Sequence, residues 1–427
     1  MSVLICFSFI WLVLSKAIKG MPTLALLLAW FVVSPNFRIG DISIDSTYII
    51  IVVLGTYIIL RDQKIFLPPR NVLTFLSMIL AVNVLYVISW SLFSRIDFMT
   101  MFTMFLGGLK IILILIECWH INKNVDRISY KNELIKTIII LAFVNSIAVI
   151  YELVDFNGSV KLLSEIFLNN QEIEYLELQT KWGKYMRFFG IFGYPMQLGL
   201  FSAYAFSFLL LMKYRIKKSV KLFLFIDILF LGIMSASKSF IFGMVISLIL
   251  HFITTLSKQK QSKKTITITS SIIMIIVVNC LMFSEIHMLI NNLFGQNIGR
   301  YYNYLANIDE VLSTRFGSNA GVLYNSTLFD VIGNNLILGV GASSINGEPV
   351  MDNAALMIMH NGGLVALFIV IGWYMYSIYI NRNVHGYMSL LIIILITGMG
   401  FQTWIAPISA WLIFGLNISN SVRIDNI

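Results

Sequence analysis

Four charged residues stand out in this apolar sequence because each lies within, or at the border of, a polar segment between hydrophobic runs. Arg187 precedes one run, Lys238 lies in a short turn between two runs, and Arg315 and Asp352 lie in a long polar segment. Cationic side chains bind phosphate oxygens, and arginine does so with two parallel hydrogen bonds. A carboxylate such as Asp352 accepts a hydroxyl proton in general base catalysis. The sequence therefore predicts a site for a phosphate-bearing substrate.

Structural roles also stay open for three of these residues. A lysine at the end of a membrane span commonly extends its amine to the interface, and this would account for Lys238. Arg315 would form an ordinary salt bridge on the surface of a loop helix. Asp352 directly precedes an apolar run, where aspartate is a preferred helix N-cap.

Glycine and proline accompany the basic residues. The segment RFFGIFGYPMQLGL contains Gly190, Gly193 and Pro195 just before an apolar run. These residue types permit tight turns and begin helices. Gly339 and Gly341 lie in GNNLILGVGASSING, which lacks the strand–helix context of a nucleotide-binding loop, so we expect a structural turn.

The elements that must position these residues are membrane helices. Apolar residues make up 58% of the 427-residue chain and charged residues only 12%, whereas soluble domains are about a quarter charged. Lipid must therefore solvate much of the surface, which predicts an all-α, polytopic transmembrane helix bundle. The net charge of +9 is assigned to short loops and not to a nucleic-acid-binding face. The scattered cysteines and histidines predict neither a disulfide framework nor a metal site, and we expect no cofactor.

Apolar runs predict about twelve spans. They cover residues 2–15, 21–34, 46–60, 72–93, 100–118, 134–155, 190–212, 219–234, 239–256, 266–283, 353–380 and 387–416. The first two are short enough to be tilted or partly re-entrant. Pro407 is a point at which the last run could divide into two helices.

Basic residues predict the orientation of the spans. One alternate set of loops, which includes 213–221 and 257–264, holds 18 Lys and Arg, and the other set holds 10 although it is longer. Basic short loops belong in the cytoplasm. The first external loop is then 157–189, and a large, partly helical external loop is 284–352. We expect residues 1–427 to form one membrane domain whose long ordered loop is functional.

Four segments resemble the O-antigen polymerase and ligase superfamily. RFFGIFGYPMQLGL is similar to its R-x-x-G-x-x-x-x-P motif, and MSASKSFIFG resembles its T-G-S-R turn, with Lys238 where arginine is usual. NNLILGVGASS is similar to its N-P-L-F-G-x-G return, and DNAALMIMHNGGLVALF resembles the helix that follows. The segments occur in family order over about residues 187–370.

Within this superfamily the chain resembles the Wzy-type polymerase more than the ligase, because ligases typically have histidine where this chain has Asp352. The resemblance implies a metal-independent glycosyltransferase on the outer face of the bacterial inner membrane. It would polymerise undecaprenyl-diphosphate-linked repeat units, as donor and acceptor, into O-antigen or capsular polysaccharide. Arg187, Lys238 and Arg315 or Arg300 would bind the lipid diphosphate, with Arg187, Arg315 and Asp352 catalytic. A membrane protein that regulates chain length is a further expected partner.

Two other functions stay open. One is an O-antigen ligase, and the other is a flippase for lipid-linked oligosaccharide. A flippase would concentrate charge inside the bundle. Lys110 and Glu117 lie seven residues apart on one span and are expected to pair there, and Asp227 is a further intramembrane charge.

Overall fold

The computed structural model of this chain is predominantly helical. It describes residues 2–39, 42–62, 67–93, 98–125, 127–167, 187–212, 216–256, 335–341, 344–345, 348–349, 354–382, 384, 386–398, 404 and 406–421. The predicted span 266–283 lies outside the described residues, as do the loop helices expected within 284–334.

The described residues in the first half of the chain form seven helices and one hairpin. They are α1 (Ser2–Ile18), α2 (Leu24–Val32), β1 (Asn36–Ile39), β2 (Ile42–Asp45), α3 (Ser46–Asp62), α4 (Arg70–Phe93), α5 (Phe98–Ile121), α6 (Arg127–Val154) and α7 (Phe156–Ile166). The two strands pair antiparallel, with Asn36 opposite Asp45 and Ile39 opposite Ile42.

The second half continues the bundle. Its described elements are a 3₁₀ turn (Gly190–Phe192), α8 (Pro195–Leu211), α9 (Lys218–Met234), α10 (Lys238–Leu256), β3 (Ser344–Ile345), β4 (Glu348–Pro349), α11 (Ala354–Ile380), α12 (Tyr387–Gly398) and α13 (Pro407–Ser421). Strands β3 and β4 form a minimal antiparallel pair.

Length and composition identify candidate membrane spans. In the described part of the chain, α4, residues 129–154 of α6, and α11 are long and apolar enough to cross a membrane, and several shorter helices are also apolar. Large hydrophobic side chains such as Val52, Leu80 and Phe223 are exposed on the bundle surface, as expected where lipid is the solvent. The apolar helices indicate a membrane protein.

The core of the bundle is built around α8, which is apolar on every face, and α13. Nearly all of α8 is buried, and the described side chains of α13 from Ile408 onward are buried as well. A helix that is hydrophobic all round belongs in the interior of a protein. Helix α8 packs against α9, α10 and α12, and α13 packs against α2, α4 and α6.

Four details differ from, or refine, the sequence-based expectation. The expected external loop 157–189 begins as a helix, because α7 covers Phe156–Ile166 and is capped by Asp155, whose carboxylate accepts a hydrogen bond from Gly158 N at 2.9 Å. The short strands were not predicted in an all-α protein. The last apolar run does divide, with α13 beginning at Pro407. Helix α2 has nine residues, about 14 Å of helix, so it cannot cross a bilayer by itself.

Candidate functional site

The glycine-bearing segments predicted to form the site lie at one end of the bundle. Helices α4, α5 and α6 alternate in direction, so α4 and α6 finish at the same end, which we call the motif end. A Cβ atom built on Gly190 would lie 2.3 Å from Asn145 Oδ1, in the second half of α6. A Cβ on Gly341 would lie 2.1 Å from the backbone nitrogen of Trp90, close to the end of α4. The contact with the Trp90 backbone requires glycine, whereas the Asn145 side chain would have to shift to admit a Cβ on Gly190.

The segment from Arg187 to Gly193 is held through its backbone amides. Phe188 N donates to Met234 O at 3.1 Å, and Phe192 N donates to Phe189 O at 3.3 Å. Phe189 N donates to Glu152 Oε2 at 3.0 Å, and Ile191 N donates to Asn145 Oδ1 at 3.0 Å. The Gly190 amide also interacts with the Glu152 carboxylate. Four amides of this segment therefore donate hydrogen bonds, which sets the path of the chain where Arg187 joins it.

Gly190, Gly193 and Pro195 shape the chain between this segment and α8. Gly190 has φ +57° and Gly193 has φ +78°, values that L-amino acids with a Cβ rarely adopt. Pro195 is the first residue of α8, where its missing N–H costs no helical hydrogen bond. The predicted turn is thus present, and it changes the chain direction just before the central helix.

The turn that carries Lys238 packs beside the Arg187 segment. The turn follows Met234, whose carbonyl accepts the hydrogen bond from Phe188 N, and Lys238 is the first residue of α10. A Cβ on Gly199 of α8 would lie 2.3 Å from Ser237 Cβ, so the turn and the start of α8 approach closely. Arg187 and Lys238 are both half-buried. The structure therefore brings together the two segments that hold these cations.

The glycine-rich return inserts against a break in α11. Gly363 has φ +67° and ψ −169°, which interrupts the helical hydrogen bonds on both sides. Val340 N donates to His360 O at 2.7 Å and Gly341 N donates to Asn361 O at 2.8 Å.

Amides on the other side of the break are satisfied by the same return segment. Leu364 N donates to Leu336 O at 2.9 Å, and Val365 N donates to Ile337 O at 3.2 Å. Residues 336–341 therefore replace the helical partners that the break removes.

Helix α4 supports this inserted segment. Ser89 Oγ donates to Leu338 O, and Tyr86 contacts the region of Gly362. Tyr86, Gly341 and Asn83 line a cavity of about 10 Å³, room for about one water molecule. His360 and Asn361 are buried at the break, with His360 Nδ1 2.9 Å from Asn361 Oδ1.

No family model, curated protein or solved structure matches this chain. The roles of Arg187, Lys238 and the glycine turns therefore rest on their chemistry and on their contacts within the bundle. The sequence resemblance to the polymerase and ligase superfamily stays a prediction.

Three of the predicted site residues, Arg300, Arg315 and Asp352, lie outside the described residues. The helix that follows Asp352 begins at Ala354 and has the break at Gly363, so the predicted apolar run is present but is not one continuous helix. Among the residues that the structure describes, no three His, Cys, Asp or Glu side chains are grouped to hold a metal ion.

The expected pairing of Lys110 with Glu117 is wrong. Lys110 Nζ instead forms a salt bridge with Asp45, at the end of β2. Glu117 lies against Gly55 of α3, where a Cβ would be 3.0 Å from Glu117 Oε1. The helical spacing predicted both side chains on one face, but the carboxylate of Asp45, from another element, forms the salt bridge with Lys110. Asp227 accepts a hydrogen bond from Ser146 Oγ at 2.5 Å.

The opposite end of the bundle carries an ionic cluster at the ends of α3 and α5. Lys123 Nζ lies 2.8 Å from Asp62 Oδ2, His120 Nε2 lies 2.7 Å from the same oxygen, and Arg61 Nε lies 3.2 Å from Asp62 Oδ1. The hydrogen bond from Lys123, with help from His120, holds the pKa of the Asp62 carboxyl below its ordinary value. The charged form of Asp62 is thereby favoured at neutral pH.

Asn145 and Glu152 belong to the site, although sequence reasoning did not connect either residue with the segment of Arg187. Both are buried polar residues on α6, and they are seven residues apart, which places them on one helical face. That spacing on an apolar span is a signal that two polar groups serve one partner. The partner could not be identified from the sequence, because it is the backbone of residues 189–191.

Proposed function

We propose that this chain is a Wzy-type polymerase that joins lipid-linked oligosaccharide repeat units on the outer face of a bacterial inner membrane. The observation that carries the proposal is the hydrogen bond from Phe188 N to Met234 O. It joins the segment of Arg187 to the segment that leads into the turn of Lys238, so the backbones that carry two cations of the resembling motifs meet at the motif end. Two half-buried cations on adjoining segments suit a diphosphate, which carries several negative charges.

The proposed reaction is a glycosyl transfer. A hydroxyl oxygen of the acceptor repeat unit bonds to the anomeric carbon of the donor glycan, and the bond from that carbon to the diphosphate oxygen breaks. The undecaprenyl diphosphate leaves, and the hydroxyl proton passes to Asp352 as general base. Negative charge grows on the leaving diphosphate, and preorganised cations outside bulk water stabilise it best. Arg187 and Lys238 supply these cations in the proposal, together with Arg315 or Arg300.

Helix α10 adds to the positive potential at Lys238. The amino-terminal end of a helix carries a partial positive charge, so a lysine there is unfavourable for helix stability. The same position favours an anion, because the helix end and the amine attract it together. An anionic substrate at the motif end would compensate for the cost of placing Lys238 there.

The proposed orientation has twelve spans, with loops 157–189 and 284–352 in the periplasm. In a cysteine-free background, we expect Asn157→Cys to react with a membrane-impermeant maleimide on intact spheroplasts. Asn124→Cys should react only after permeabilisation. It lies between α5 and α6, at the end of the bundle opposite the motif end. Both side chains are exposed, so burial does not limit labelling. Labelling of Asn124→Cys but not Asn157→Cys on intact spheroplasts would invert the orientation and rule out the proposed mechanism.

A flippase for lipid-linked oligosaccharide is the second candidate, and the break in α11 favours it. Interrupted helices whose ends are satisfied by a neighbouring loop are typical of substrate sites in transporters. The break at Gly363 divides one of the longest apolar helices described. An O-antigen ligase would use the same cations but transfer finished polymer, and Asp352 in place of histidine weighs against it.

Deleting the gene should distinguish the polymerase from the flippase. A polymerase acts after translocation, so the deletion strain should still display single repeat units on its surface, without the ladder of longer polymers. Gel analysis of surface glycan, with measurement of lipid-linked repeat units in the inner membrane, checks this. Loss of the single-unit band together with accumulation of the lipid-linked unit on the cytoplasmic side would favour the flippase and reject the polymerase.

A further inference from the structure

The segment 187–193 is attached to α6 by two side chains and not by regular secondary structure. Glu152 Oε2 accepts from Phe189 N at 3.0 Å, the Gly190 amide also interacts with the Glu152 carboxylate, and Asn145 Oδ1 accepts from Ile191 N at 3.0 Å. Glu152 is 1% exposed and Asn145 is 0% exposed, so neither side chain is a surface group that happens to touch the backbone. Three consecutive amides therefore depend on two residues of one helix.

The conformation of this segment explains why a carboxylate is present. Phe189 has φ −121° and ψ −15°, and Gly190 has φ +57°. A right-handed residue followed by a left-handed one points successive N–H groups into one concavity, which binds anions. The Glu152 carboxylate occupies that concavity. A buried amide that lost this acceptor would be left without a hydrogen bond, which destabilises this conformation.

Asn145 fits the same turn by shape. Its Oδ1 lies only 2.3 Å from the position that a Cβ on Gly190 would occupy. Its own Nδ2 donates to Leu141 O at 2.7 Å, so the side chain is oriented at both ends. The Asn145 side chain thus packs against Gly190 in its left-handed conformation and accepts a hydrogen bond from Ile191 N.

We propose that Glu152 and Asn145 are positioning residues that hold the backbone beside Arg187, so that its guanidinium is presented at the motif end. The proposal rests on the proposed function in that Arg187 is taken to bind the diphosphate. Glu152 acts here through hydrogen-bond acceptance and not as a base or as a ligand of the substrate. A glutamine at position 152 keeps an acceptor oxygen of similar reach, and so it should replace glutamate.

Hydrogen–deuterium exchange on the full chain in lipid nanodiscs tests the positioning directly. We expect Glu152→Ala to raise the exchange rate of the Phe189 and Gly190 amides about tenfold, because their acceptor is removed. Glu152→Gln should keep both rates within about threefold of the wild type. Glu152→Asp shortens the side chain by one methylene, so it should give an exchange rate between those of the wild type and the alanine variant. It replaces the alanine variant in the test if that variant does not fold. Unchanged exchange in both the alanine and aspartate variants would overturn the proposal.

Glycan ladders from cells carrying the same variants test the link to Arg187. Glu152→Gln should polymerise nearly as the wild type, whereas Glu152→Ala should lose the ladder. Combining Glu152→Ala with Arg187→Ala should be no worse than Arg187→Ala alone, because both act through one group. Asp227→Asn is the matched control, since it also neutralises an acid packed against α6, here a half-buried one, but its partner is Ser146. A glutamine variant as inactive as the alanine variant would show that the carboxylate charge itself is needed and would reject the positioning role.

The two proposals fail differently. If deleting the gene leaves the surface glycan unchanged, the polymerase proposal fails, while the exchange rates still decide whether Glu152 holds the segment. Suppose that the polymer ladder is lost on gene deletion, but that substitutions of Glu152 leave amide exchange at Phe189 and Gly190 unchanged. The polymerase proposal then stands and the positioning role is rejected.

Discussion

Arg187→Ala should abolish the polymer ladder while single repeat units still reach the cell surface. Arg187 is half-buried and the amides that follow it are held by hydrogen bonds, so under the proposed function its guanidinium would be preorganised for the leaving diphosphate. Removing one preorganised donor from a developing anion typically lowers turnover by about 10²–10³-fold. The measurement is a gel of surface glycan at matched membrane levels of each variant. Arg187→Lys should recover less than about a tenth of the lost activity, because lysine cannot form two parallel hydrogen bonds.

Arg382→Ala is the control for loss of an arginine. Arg382 is exposed after α11, with its guanidinium carbon 4.7 Å from the Tyr379 ring centre, at the end of the bundle opposite the motif end. Its loss should leave the ladder unchanged. A wild-type ladder from Arg187→Ala would count against a diphosphate role for Arg187, and equal losses in both variants would indicate a general effect of charge on assembly.

Gly363→Ala should destabilise the folded protein by about 3 kcal/mol or more. Its backbone, with φ +67° and ψ −169°, lies in a region that is accessible almost only to glycine. A Cβ there would also lie 2.0 Å from Ile337 O, so the inserted segment 336–341 would have to move away. That movement would leave the amides of Leu364 and Val365 without partners inside the bundle. Thermal unfolding of the purified protein and its amount in the membrane measure the effect.

Gly372→Ala provides the comparison within the same helix. No atom lies within 4 Å of a Cβ built on Gly372, and its backbone is helical. This variant should unfold within about 0.5 kcal/mol of the wild type, as is usual for substitutions away from packed or strained positions. A Gly363→Ala protein as stable as Gly372→Ala would contradict the assignment of segment 336–341 as the partner of the broken helix.

Much of the helix layout could be predicted from the sequence, since the apolar runs coincide with the described helices. Burial of long apolar stretches in lipid is a property of each stretch by itself, so composition is enough to locate it. Pro407 marked the division of the last run because proline has no N–H to continue a helix. The turns at Gly190 and Gly193 were predictable for a similar local reason, as was the start of α8 at Pro195.

Contacts between distant parts of the chain were decided only by the tertiary structure. Lys110 was free by its spacing to pair with Glu117, yet Asp45 is its partner. Glu152 and Asn145 gave no indication that they would bind backbone amides some forty residues further along. The break at Gly363 is stable because residues 336–341 supply the missing hydrogen bonds. Local patterns determine which segments become helices, whereas each buried polar group in lipid must find a partner that folding alone brings within reach.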